Sequence, residues 1–138
     1  MATYTKYQDY IQQLHTGIHN WTAAGATFKA VIHSDAPTVA TDDELADLTQ
    51  VTGTGYTAGG EDIQNDMTET SGTATITAVD VTWTASAGDW GAGQYVSIHN
   101  DTSTGDKLVC SYNYGSSFTL ANGESFSVDF GASLATAA

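Results

Sequence analysis

Apolar side chains recur every three or four positions at the start of the chain and every second position through its latter half. Tyr7, Tyr10, Ile11, Leu14 and Ile18 fall at helical spacing, which predicts one apolar helix face within the first 21 residues. Thr3 or Thr5 can cap its start and Gly17 can stop it before Trp21. From 26 to 33 the period drops to two. Phe28, Ala30 and Ile32 point one way, and Thr27, Lys29, Val31 and His33 the other, as in a half-buried strand. Thr41, Asp42, Asp43 and Glu44 have the form of a capping box, and Leu45 and Leu48 give the short helix behind it one line of contact. The Gly- and Thr-rich stretch 51–60 follows, an expected mobile and exposed loop.

Beyond residue 61 the alternation is that of strands throughout. Segments 73–79, 81–85, 94–99, 107–112, 118–120 and 124–130 are rich in Val, Thr and aromatic residues, with glycines between them. In the last of these Phe126, Val128 and Phe130 share one face, and Asn122-Gly123 just before it reads as a tight hairpin turn. Many short strands with frequent turns predict a mainly β fold. The expected form is an antiparallel β-sandwich, immunoglobulin-like or jelly-roll-like, with an N-terminal α-helix and one short additional helix. Three parts are expected: a helical arm 1–21, a β-sandwich domain 22–132, and a frayed C-terminal tail 133–138.

Composition narrows the function. The length of 138 residues is that of one domain, and a hydrophobic share of 41% supports a core without disulfide or metal staples. No apolar run approaches the roughly 18 residues of a membrane span. The opening ten residues lack the basic and apolar regions of a secretory leader, so synthesis in a cytoplasm is expected. Cys110, the single cysteine, sits in an alternating strand as a small buried residue. Three Lys and no Arg stand against sixteen Asp and Glu, a formal charge of −13. Nucleic-acid binding needs cations to displace phosphate counterions, so DNA and anionic lipid are not expected partners.

Candidate chemistry is sparse. His15 and His19 are four apart, yet nothing local supplies a third metal ligand, and Gly17 weakens a helix between them. His33 and His99 read as polar-face strand residues. Segment 100–106 has some oxygens of a calcium loop, but its twelfth position is Ser111 rather than Glu, which favours a plain polar hairpin loop. Asp80 and Asp89, beside Val81 and Trp90, are the only carboxyls placed for a raised pKa, and both equally suit turns. The glycines of 51–60 lack the Lys of a phosphate cradle, and no nucleophile elbow is present. No catalytic, cofactor-binding or metal residue is therefore assigned, no cofactor is expected, and an enzyme is not expected.

The opening TKYQDYIQQLHTGIHNW, the segment SDAPTVATDDELADLTQVTGTGY and the closing YNYGSSFTLANGESFSVDF resemble small virion structural proteins of tailed bacteriophages. The resemblance implies a capsid decoration (cement) protein on the outer surface of the head, or else a small tail or fibre component. It further implies assembly as a homotrimer, with the major capsid protein or other virion proteins as partners. Aromatic and aliphatic residues of the arm would make the contacts: Tyr4, Tyr7, Tyr10, Ile11, Leu14 and Trp21. A third reading is a carbohydrate-binding β-sandwich, with Trp83, Trp90 and Tyr95 as stacking platforms.

Overall fold

The computed structural model describes residues 2–137, and β-strands occupy part or all of each alternating segment. All strand pairs are antiparallel, so the chain is mainly β as expected. In chain order the elements are β1 (Thr3–Lys6), α1 (Tyr10–His15), β2 (Phe28–His33), a single 3-10 turn (Leu45–Asp47), β3 (Glu61–Asp62), β4 (Asp66–Thr70) and β5 (Thr73–Thr77). There follow β6 (Val81–Thr84), β7 (Gly93–Asn100), β8 (Lys107–Phe118), β9 (Ser125–Val128) and β10 (Ala135–Ala137). One sheet runs β1-β8-β7-β2-β3, a second β10-β5-β4, and a third pairs β6 with β9.

Two expectations about helices are corrected. The arm is not one helix: Thr3–Lys6 is a strand pairing with Asn113 to Cys110 of β8, and only the six residues of α1 are helical. A free β8 edge offers backbone hydrogen bonds that a helix could not take up, and this pairing overrides the local apolar spacing. Tyr7 extends the pairing through its N–H to the Val109 carbonyl at 3.1 Å. The second helix is the 3-10 turn. Its reciprocal cap is Glu44 with Asp47, set later along the chain than the Thr41–Glu44 pattern.

Within the expected C-terminal tail lies a short exposed strand. Ala135–Ala137 pairs with β5 from Ile76 to Ala74, and Ala138 lies outside the described residues. Gly115 is not a turn between strands. It sits within β8 at φ 88°, where the register with β7 shifts, and Asn113 Oδ1 accepts its N–H at 2.8 Å. Asn122-Gly123 does turn, but it joins β8 of one sheet to β9 of another, and within that pair only Gly123 has positive φ.

β2 is buried on both faces rather than one. Phe28, Ala30 and Ile32 join the main core with Trp21, Val96, Ile98, Trp83 and Val128. Val31 joins a smaller cluster of Tyr7, Leu48 and Leu108, flanked by Val39 and Leu45. The segment 34–50 covers that second face, which alternation within β2 alone could not reveal.

Stretch 51–60 is mostly exposed, as expected, and hydrogen bonds tie it down at several points. Tyr56 Oη bonds Gln50 Oε1 at 3.0 Å, Gly59 N–H bonds the same oxygen at 2.9 Å, and Trp90 Nε1 donates to the Thr54 carbonyl at 2.9 Å. Gly60, at φ 81°, lies so close to the Ala30 carbonyl that a Cβ would strike it.

Candidate functional site

Strand β1 is a sheet edge, and all four of its residues are exposed. Such an edge leaves backbone N–H and C=O groups ready to pair with another chain. Beside it lies an open groove of about 520 Å³, lined by residues that include Tyr4, Tyr112, Tyr114, Asp129, Phe130 and Leu134. The groove forms where β1 and β8 of the large sheet meet β9 and the segment leading to β10. Tyr4 and Tyr112 pack at 5.6 Å between ring centroids, and Tyr112 and Phe130 meet edge-on at 6.4 Å. Burial pushes the hydroxyls of Tyr112 and Tyr114 above the ordinary tyrosine value, so both stay protonated donors at neutral pH. A groove of this kind offers ring faces, hydroxyl donors and a strand edge, the ingredients of protein-to-protein contact.

The six arm residues divide. Tyr4 is 52% exposed and Ile11 43% exposed. Leu14 is half-buried and packs on the main core. Tyr7, Tyr10 and Trp21 are interior: Tyr7 Oη lies 3.0 Å from Ser97 Oγ, and Trp21 Nε1 donates to Tyr10 Oη at 3.0 Å while its ring stacks on Phe28 at 3.5 Å. Those three cannot present their rings to a partner in this fold. Tyr112, Tyr114 and Phe130, which complete the groove, were not singled out by the arm reading. Their signal is the β-strand alternation of Tyr112 and Tyr114, legible only once β8 is known to border β1.

The remaining sequence candidates are placed as follows. Trp83 and Trp90 are core side chains, so neither offers the flat exposed face a sugar would stack on. Asp80 Oδ1 accepts the Phe130 N–H and Asp89 Oδ1 the Asn122 N–H, both at 2.9 Å, which is turn bracing. Cys110 is buried and its thiol is pushed up to about 12 by burial, leaving it protonated and unreactive at neutral pH. Asn100, at the end of β7, is fully buried.

The histidines depart from the polar-face expectation. His33 and His99 are fully buried and His19 nearly so, while His15 is exposed, so the His15 and His19 pair never converges. His19 lies beyond α1 and bonds Gln13 Oε1 at 2.9 Å, and burial lowers its pKa to about 4. His33 Nε2 meets Ser97 Oγ at 2.8 Å, and burial lowers its pKa too. His99 lies near Asp101 and Asp106, the three having ligand atoms within 4.8 Å of one another.

Two of the three Lys are paired: Lys107 with Asp43 at 3.0 Å and Glu44 at 2.8 Å, and Lys29 with Asp101 at 2.9 Å. The surface is therefore left strongly anionic. No helix among the described residues is long and apolar enough to cross a membrane. No protein-family model, curated protein or solved structure matches the chain.

Proposed function

We propose that the chain is a non-enzymatic structural component of a tailed-bacteriophage virion, a capsid decoration protein that binds the outer surface of the head and braces neighbouring capsomers. The observation that carries this reading is the tyrosine-lined groove beside the exposed β1 edge. Exposed rings beside an open strand edge suit contact with another protein chain, on a molecule of charge −13 that packaged DNA would repel. The sequence resemblance to small virion proteins supplies the class of partner, the major capsid protein. Assembly as a homotrimer would multiply modest contacts into stable attachment.

The architecture is read in the same terms, as a β-sandwich. In support, one core draws on all three sheets: Phe28, Val96 and Val109 from the first, Ile76 from the second, Trp83 and Val128 from the third.

Imaging virions that carry a label on this chain tests the function. Label distributed over the outer head is expected. Label confined to the tail would replace this reading with the tail or fibre alternative, and virions without label would sink both. Point substitutions in the groove are the companion test. Removal of residues 1–21 would also delete β1 and three core aromatics, so it cannot separate contact from folding.

A further inference from the structure

We propose that the base of the β7–β8 hairpin is a binding site for one divalent transition-metal ion of the Zn²⁺ or Mn²⁺ class, held by His99, Asp101 and Asp106. The three residues bracket the hairpin loop. His99 is the penultimate residue of β7, Asp101 the first residue after it, and Asp106 the last before β8. One ring nitrogen and one oxygen from each carboxylate lie within 4.8 Å of one another. Ligand atoms sharing an ion at bond lengths of about 2.0–2.2 Å sit roughly 3–4 Å apart, so small side-chain rotations close the triad.

The acidic pair alone would be an ordinary solvated loop. His99 is what makes it a site. Its side chain is fully buried, and Nδ1 has no hydrogen-bond partner among the described residues. The other nitrogen, Nε2, lies 2.9 Å from the Gly59 carbonyl, which can only accept, so Nε2 carries the proton and Nδ1 holds the free lone pair. An orphaned buried acceptor costs about 1–3 kcal/mol, and a metal ion is one group that would satisfy it. The carbonyl that orients the ring is itself fixed, because Gly59 N–H bonds Gln50 Oε1. Metal-bound histidines commonly have their second nitrogen held by a carbonyl in this way.

Charge sets the ion. Two carboxylates and a neutral imidazole neutralise a divalent cation; the imidazole favours Zn²⁺ over Ca²⁺, which takes oxygens almost exclusively, and the two carboxylates also suit Mn²⁺. Lys29 Nζ holds Asp101 Oδ2 at 2.9 Å, which leaves the second oxygen of Asp101 to coordinate. Three protein ligands leave the remaining positions to water. The ion would pin both ends of the hairpin loop to the sheet and, through Gly59, to the stretch 51–60.

The test uses the full chain stripped with a chelator, titrated with Zn²⁺, Mn²⁺ or Ca²⁺ alone, and followed by calorimetry and thermal unfolding. Saturable binding of one Zn²⁺ or Mn²⁺ per chain is expected, with an unfolding midpoint that rises with ion concentration. Asp106→Asn should weaken that binding at least tenfold while leaving the metal-free midpoint near that of the parent, since among the described residues this half-buried carboxylate makes no hydrogen bond or ion pair. Asp129→Asn, outside the hairpin, should bind as the parent does. His99→Gln should abolish binding, and the Asp106 variant decides the matter if His99→Gln fails to fold. Absence of saturable binding, binding untouched by Asp106→Asn, or a preference for Ca²⁺ over both transition ions would each overturn the proposal.

Discussion

Tyr4 and Tyr7 stand three residues apart on β1 and its extension, and they do opposite things. Tyr4 is half exposed and leans on Tyr112 at the mouth of the groove. Tyr7 is fully buried, its hydroxyl on Ser97, which also takes His33 Nε2. On a helix, residues three apart share a face. On a strand they fall on opposite faces. The switch from helix to strand therefore splits one apolar stripe into an inner anchor and an exposed ring. That division shows which aromatic residues a partner can reach.

The largest expected effect is on the inner side. Tyr7→Ala removes a fully buried ring from the small cluster with Val31, Leu48 and Leu108, and should cost about 4 kcal/mol in urea unfolding. A loss near that of a surface substitution would show that β1 is only lightly attached, and the comparison would break.

Acid should act next, and again only on the interior. His19, packed against Tyr10 at 5.1 Å, has a folded pKa of about 4 against an ordinary 6.5. The unfolded chain binds the proton more readily between those values. Stability from this group is thus complete above about pH 6.5 and is lost as pH falls toward 4, by about 3 kcal/mol at pH 4. His33 acts in the same direction. His19→Gln should flatten this part of the stability-against-pH profile measured by thermal unfolding, and an unchanged profile would discount the burial of His19.

The smallest effect on stability should come from the outer side. Tyr4→Ala is expected to cost under about 1 kcal/mol in unfolding and, if the proposed decoration role holds, to weaken attachment to purified heads at least tenfold in a co-sedimentation assay. Normal attachment would remove the groove from the contact surface while leaving the interior unaffected.

Much of the strand inventory was legible because period-two alternation survives wherever one face of a strand meets a core. The positions of β2, β6, β7 and β9 follow from it directly. The site was less legible. Of the six arm residues, Tyr4 and Ile11 are exposed, and the groove's other walls come from residues more than a hundred positions away. His99 looked like a polar-face strand residue because alternation says which way a side chain points, not what covers it.

By itself, then, the amino-acid order determined the β character, the antiparallel hairpin of β7 and β8, the acidic surface, and the buried thiol of Cys110. These depend on local period, turn residues and net charge, which short stretches of chain carry within themselves. Tertiary structure alone decided that residues 3–6 would be a strand, that 51–60 would be pinned by Gln50 and Trp90, and that His99 would lie buried beside two carboxylates. Each of those outcomes depends on a hydrogen bond or a covering surface supplied from far along the chain, and no local pattern contains its partner.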